Sequence, residues 1–154
     1  MADVTLELRP LPYDDPVVRA LEAQVQAEYV RRYGGPDETA TDPAQFLPPE
    51  GVFLVGWAAD VAVATGGLRR HDEESAEIKR MYVVESYRGR GYARVVLAEL
   101  ERYAARAGYR RILLETGTGQ PEAIALYRSS GYDPVPGFGH YLDSPLSRSF
   151  AKAL

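Results

Sequence analysis

One stretch limits the folding options of this chain more than any other: "YRGRGYA", residues 87–93, with two glycines a single residue apart. It stands between "AEIKRMYVV" (76–84), which alternates like a strand, and a run with helical spacing. In that run Ala93, Val96, Leu97, Leu100, Tyr103, Ala104 and Ala107 share one face, and Gly108 ends it. A plain strand-to-helix turn does not need backbone freedom twice. A ligand site does, because removing Cβ atoms lets an anion approach the amides of a helix N-terminus, where the helix dipole also favours it. Arg88 and Arg90 beside those amides would add charge-assisted hydrogen bonds.

The rest of the chain supplies the frame. Residues 4–9 read as a half-buried strand, with Val4, Leu6 and Leu8 alternating with polar residues. Asp14-Asp15-Pro16 then starts a helix carrying Val17, Val18, Leu21, Val25 and Tyr29, and Gly34-Gly35-Pro36 stops it. Residues 34–50 contain four prolines and little periodicity, which predicts a long loop with room for one helical turn. "VFLVGWA" and "VAVATGGLRR" form a hairpin through Ala59-Asp60. After the glycine junction come a strand over 110–115, a helix from Pro121 to about Ser130, and a final strand near 146–152. A further short strand is expected near 137–142. The order β–α–loop–β–β–β–α–β–α–β lacks regular βαβ alternation and predicts one α/β domain over 1–154 with a mixed central sheet.

Composition narrows the function. The chain has 154 residues, no cysteine and a formal net charge of −4. A cysteine nucleophile and a cysteine-ligated metal site are thereby excluded, and non-specific nucleic-acid binding is disfavoured. The start "MADVTLELRP" lacks the basic and apolar regions of a signal peptide, and no apolar run is long enough to span a bilayer. The cytoplasm is the expected location. The eleven tyrosines fit amphipathic positions at the edge of a core.

Three ligands compete for the glycine junction. A dinucleotide fingerprint begins with Gly89-x-Gly91 but fails where Arg94 replaces its third glycine, and the strand before it is too charged for a buried first strand. A P-loop fails because no Gly-Lys-Ser/Thr follows. The third is acyl-CoA pyrophosphate, and here the chain resembles the GNAT family of acetyl-CoA-dependent N-acetyltransferases. Arg88-Gly89-Arg90-Gly91-Tyr92-Ala93 fits that family's Gln/Arg-x-x-Gly-x-Gly/Ala signature, within "MYVVESYRGRGYARVVL". "QPEAIALYRSSGY" is similar to its second motif, Asn-x-x-Ala-x-x-Leu-Tyr-x-x-x-Gly-Phe, with Gln120 in place of Asn and Tyr132 in place of Phe. The two motifs lie in the family's order with one strand between them, and the element order resembles the family fold over nearly the whole chain.

The resemblance implies a mostly antiparallel central sheet flanked by helices, acetyl-CoA as co-substrate and no metal. It also implies a primary amine, expected to be a small molecule, as acceptor, attacked directly in a ternary complex. A homodimer is compatible with it. A non-catalytic acyl-CoA-binding or sensor module on the same fold is the rival reading. In the family arrangement the amides of 88–93 hold pyrophosphate, Gln120 contacts CoA, and pantetheine lies along strand 76–84. The N–H groups of Met81 and Val83 point to one strand edge, and by analogy one of them polarises the thioester carbonyl. Tyr127 matches the tyrosine that protonates the leaving thiolate. Glu77, eleven residues before Arg88, has the offset of the general base in the histone-acetylating branch. Glu115 and His71 are its rivals. For the acceptor, charge signs conflict. Arg31, Arg32, Arg69, Arg70, His71, Lys79 and Arg80 suit an acceptor that also bears an anion, whereas Asp37, Glu38 and Asp42 suit a cation. The loop 34–50 and "GFGHYLDSP" are where the family builds acceptor pockets.

Overall fold

The computed structural model describes residues 5–154. Strand β1, Leu6–Pro10, covers most of the first expected strand, whose Val4 lies outside the described residues. Helix α1 spans Pro16–Tyr33. Its start is local chemistry: the Asp15 carboxylate accepts the Val17 N–H at 2.8 Å, and Pro16 occupies the first turn. Its end is equally local, since Gly34 takes the left-handed conformation and donates its N–H to Val30 O. The long loop holds one 3-10 turn, Pro43–Phe46, capped by Asp42 and Gln45.

Strands β2 (Val52–Ala58), β3 (Val61–Arg70) and β4 (Ser75–Val83) follow, then a 3-10 turn, Glu85–Tyr87. Helix α2 (Tyr92–Arg106), β5 (Arg111–Gly117), α3 (Pro121–Ser129), β6 (Asp133–Val135) and β7 (Ser147–Ala153) complete the chain. Among the described residues, seven strands form one sheet in the order β1-β2-β3-β4-β5-β7-β6. Every pairing is antiparallel except β4 with β5. The mixed, mostly antiparallel sheet is therefore as expected. The short extra strand is not: 137–142 contains no strand, and β6 lies earlier, at Asp133–Val135, on the sheet's edge. Pro134 is tolerated there because an edge strand need not donate every N–H.

Two apolar clusters flank the sheet. One packs α2 and α3 against it through Val96, Leu97, Leu100, Ile78, Leu114 and Phe150. The other packs α1 and the long loop on the opposite face through Val18, Leu21, Phe46, Phe53 and Val55.

The fold positions its site through an irregularity in β4. Thr65 pairs with Tyr82 but Gly67 pairs with Lys79, so Arg80 and Met81 together oppose the single residue Gly66. This is a β-bulge. Arg80 takes φ 59° there, and its carbonyl accepts a 2.8 Å hydrogen bond from the Thr65 hydroxyl. Pairing of β4 with β5 covers only Ser75–Ile78 against Arg111–Leu114. Beyond that point the two strands part.

Candidate active site

A cavity of about 300 Å³ opens where β4 and β5 separate. Lys79, Arg80 and Met81 form one wall and Glu115, Thr116 and Gly117 the other. The end of α1 contributes Tyr29 and Tyr33, and α3 contributes Gln120, Ala123 and Tyr127. Two loops close the remaining side through Asp37 and Glu38, and through Tyr141, Ser144 and Leu146, with Ser147 at the start of β7 beside them. The loops are joined where the Glu38 N–H donates to the Tyr141 hydroxyl at 2.8 Å.

The free edge of β4 faces this opening. Val84 N–H bonds Val63 O on β3 at 2.8 Å. Strand alternation therefore turns the amides of Val83 and Met81 to the opposite edge, away from β3. The Val83 carbonyl, on that same edge, accepts the Arg88 guanidinium at 2.8 Å. Arg88 also pairs with Glu28 of α1 at 2.7 Å. Its guanidinium thus ties α1 to the strand edge beside the glycine junction.

Gly89 and Gly91 both have φ +81°, and a Cβ added to either would meet nothing within 4 Å. Their conformation is one that other residues adopt at a cost, and the space above them is open. Gly91 caps α2, with Tyr92 and Ala93 in its first turn. The first helical bond runs from Val95 N–H to Gly91 O, so helix geometry turns the first-turn amides toward that space. Arg90 lies over the Tyr87 ring at 5.0 Å. Helix dipole, open glycine turn and flanking guanidinia are suited to a diphosphate.

Tyr127 is buried on α3, its ring edge-on to Tyr132 at 5.8 Å, and burial pushes its hydroxyl pKa up. Gln120 lines the cavity and donates from Nε2 to the Tyr33 hydroxyl at 3.2 Å. Glu77 is placed differently. It is 6% exposed, its carboxylate is held by Arg69 Nε at 2.8 Å, and it is absent from the cavity wall. Glu115 is on the wall. Its Oε2 is buried without a hydrogen-bond partner. Burial raises its pKa, and the charges of Glu77 and Asp37 add to the rise, against the pull of Lys79 and of the nearby Ser147 hydroxyl. His71 packs edge-on to Phe138 at 5.4 Å and does not line the cavity.

The cations singled out in the sequence are also sorted. Arg69 pairs with Glu77, Arg70 with Glu50, and Arg32 with Glu122. Arg80 is 5% exposed and bonds Glu22 at 2.7 Å and Asp37. Lys79 lies 3.5 Å from the same Asp37 oxygen. Burial pushes Asp37 up, but Lys79, Arg80 and the Thr39 N–H outweigh it and hold the carboxyl well below the usual range. Tyr29, Tyr33 and Ser147 are wall residues that sequence reasoning missed. The only hint was the i, i+4 spacing of Tyr29 and Tyr33 at the end of α1.

An open mixed sheet, split beside a bulged strand and followed by a glycine turn at a helix N-terminus, is an architecture suited to an extended ligand that carries a diphosphate. A sequence model described as the acetyltransferase (GNAT) family matches residues 21–132. An IAA acetyltransferase of Azospirillum brasilense is 33% identical over 155 residues, covering 100% of both chains. A crystal structure from Klebsiella pneumoniae, described as an acyl-CoA N-acyltransferase, superposes with a TM-score of 0.82 at 28% identity, covering 97% of this chain and 98% of that one. A GNAT acetyltransferase from Elizabethkingia anophelis, solved with acetyl-CoA bound, shares the fold with a TM-score of 0.72 at 15% identity over 97% of this chain and 98% of its own. The chain belongs to the acetyltransferase (GNAT) family. It is accordingly an acetyl-CoA-dependent acyltransferase.

Proposed function

We propose that the chain moves the acetyl group of acetyl-CoA to the primary amine of a small molecule, by direct attack with both substrates bound. The observation that carries this reading is the cavity at the β4–β5 split. It sets a buried tyrosine hydroxyl and a carboxylate with one buried, unpartnered oxygen, Glu115 Oε2, beside the free edge of β4.

Each group has a task. The amides of Met81 and Val83 present donors along the free edge, one of them to the thioester carbonyl. The Gly89–Ala93 turn, with Arg88 and Arg90, takes the pyrophosphate, and Gln120 holds the CoA chain near Tyr127. Glu115 accepts the proton lost by the amine as its nitrogen bonds the acetyl carbon. Tyr127 gives its proton to the sulfur as the carbon–sulfur bond breaks. A carboxylate with a raised pKa suits the first task, being closer in basicity to its working pH. Glu77 has a supporting part: its charge, fixed by Arg69, helps keep the Glu115 pKa up.

A transfer assay that reads free thiol from acetyl-CoA against a panel of primary amines tests the reading. Thiol release dependent on an amine, reduced far more by Glu115→Gln than by Glu77→Gln, is the expected result. If Glu77→Gln is the more damaging change, the base assignment passes to Glu77. Acetyl-CoA binding with no turnover on any acceptor would favour an acyl-CoA-binding module instead.

A further inference from the structure

The charges at the cavity follow an order. Glu22 bonds Arg80 at 2.7 Å, Arg80 bonds Asp37, and Asp37 lies 3.5 Å from Lys79. Lys79 in turn acts electrostatically on Glu115. Reading from α1 across the long loop to β4 and β5, the signs alternate and both cations sit between two acids. The series ends on Glu115, whose Oε2 is buried and lacks a hydrogen-bond partner. The cations on the cavity wall are Lys79 and Arg80, and the acids are Asp37, Glu38 and Glu115, with Glu22 shared by Arg80 from behind. Arg69, Arg32 and Arg70 have their own carboxylates elsewhere. Among the described residues, the wall therefore lacks a positive charge rather than a negative one. Beyond the charges it combines aromatic and apolar side chains, among them Tyr29, Tyr33 and Leu146, with the polar Gln120, Ser144 and Ser147.

Resting on the transferase reading above, we propose that the acceptor is an amine with an apolar body and no carboxylate beside its nitrogen. The ammonium form completes the series at Glu115 and then loses its proton there. A carboxylate on the neighbouring carbon would meet Glu115 and Asp37 with no cation left to receive it, and like charges brought together in a partly dry site are costly. Lys79 sets this selectivity by cancelling Asp37. It thereby limits the site to one positive charge.

Matched pairs test the inference on the unmodified protein. With saturating acetyl-CoA, kcat/KM for tyramine should exceed that for tyrosine, and tryptamine that for tryptophan, by about tenfold or more. Equal or better use of the carboxylated member overturns the inference and leaves the transferase reading standing. No acetylation of any amine by protein that binds acetyl-CoA overturns both. A second arm uses Lys79→Met, which leaves one more uncompensated acid. Its ratio of kcat/KM for 1,4-diaminobutane over butylamine should rise about tenfold above the unmodified protein's. An unchanged ratio overturns the role of Lys79, since a merely structural lysine would lower both rates together.

Discussion

Glu115 is a half-buried carboxyl with one oxygen, Oε2, shielded from water, and ionising it there has a measurable cost. Its pKa is raised by burial first, with Lys79 and the nearby Ser147 hydroxyl opposing the shift and Glu77 and Asp37 adding to it. An acid whose pKa rises on folding favours the folded state most when protonated. That contribution is lost as pH climbs from the ordinary carboxylate range through the raised value. Glu115→Gln should therefore stabilise the protein near neutrality by about 1 kcal/mol, while making stability less dependent on pH across that window. Denaturant midpoints measured across a pH series would check it; a destabilised variant would mean that Glu115 has a partner in solution. The same change should remove the acid limb of the pH–rate profile. Tyr127 carries the complementary expectation. Removing its hydroxyl with Tyr127→Phe should lower kcat by about a hundredfold and leave acetyl-CoA affinity unchanged. An unaltered kcat would take the acid role away from it.

Elements meet at the site through close contacts that a single atom can upset. The ring of Tyr33, on the last turn of α1, lies so close to Gly117 that an added Cβ would collide with its hydroxyl. Arg32 reinforces the same junction by donating to Gly119 O at 2.6 Å and pairing with Glu122 at 2.7 Å. Gly117→Ala should push the rigid Tyr33 ring aside at a stability cost of about 1–3 kcal/mol. Its effect on kcat/KM should be larger, since the ring walls the cavity; parallel unfolding and activity measurements would show whether the two losses separate. This scale also shows what the sequence made legible. Asp15, Pro16 and Gly34 bound α1 through contacts made within a few residues, so those ends were readable. The Gly89–Gly91 turn was readable for the same reason. β6 was not, because three residues containing Pro134 become a strand only by pairing with β7. Glu77 and Glu115 were not separable either. Which carboxylate Arg69 holds depends on the register of β3 against β4, and which one faces the cavity depends on where β4 leaves β5.

Across the whole molecule, the charge series that shapes the cavity also holds it together. Glu22 comes from α1, Asp37 from the long loop, and Lys79 and Arg80 from β4, so one buried network joins three segments distant in sequence. Asp37 is its centre. Despite burial, its two cations and the Thr39 N–H hold its pKa well below the ordinary carboxylate range. The sign of the consequence follows: stability from Asp37 is fully present above the unfolded-state value of about 4 and is lost progressively as pH falls below it. Asp37→Asn would leave Lys79 and part of Arg80 buried without their counter-charge. It should cost about 3 kcal/mol at neutral pH, as expected when one member of a buried ion pair is removed. The gap from the unmodified protein should then narrow as the solution is taken below about pH 4, because protonation removes from the native chain what the substitution has already removed. Urea unfolding of both proteins over this range measures the gap directly. A gap that stays constant down to about pH 2 would mean that the cost of the substitution does not come from the Asp37 charge.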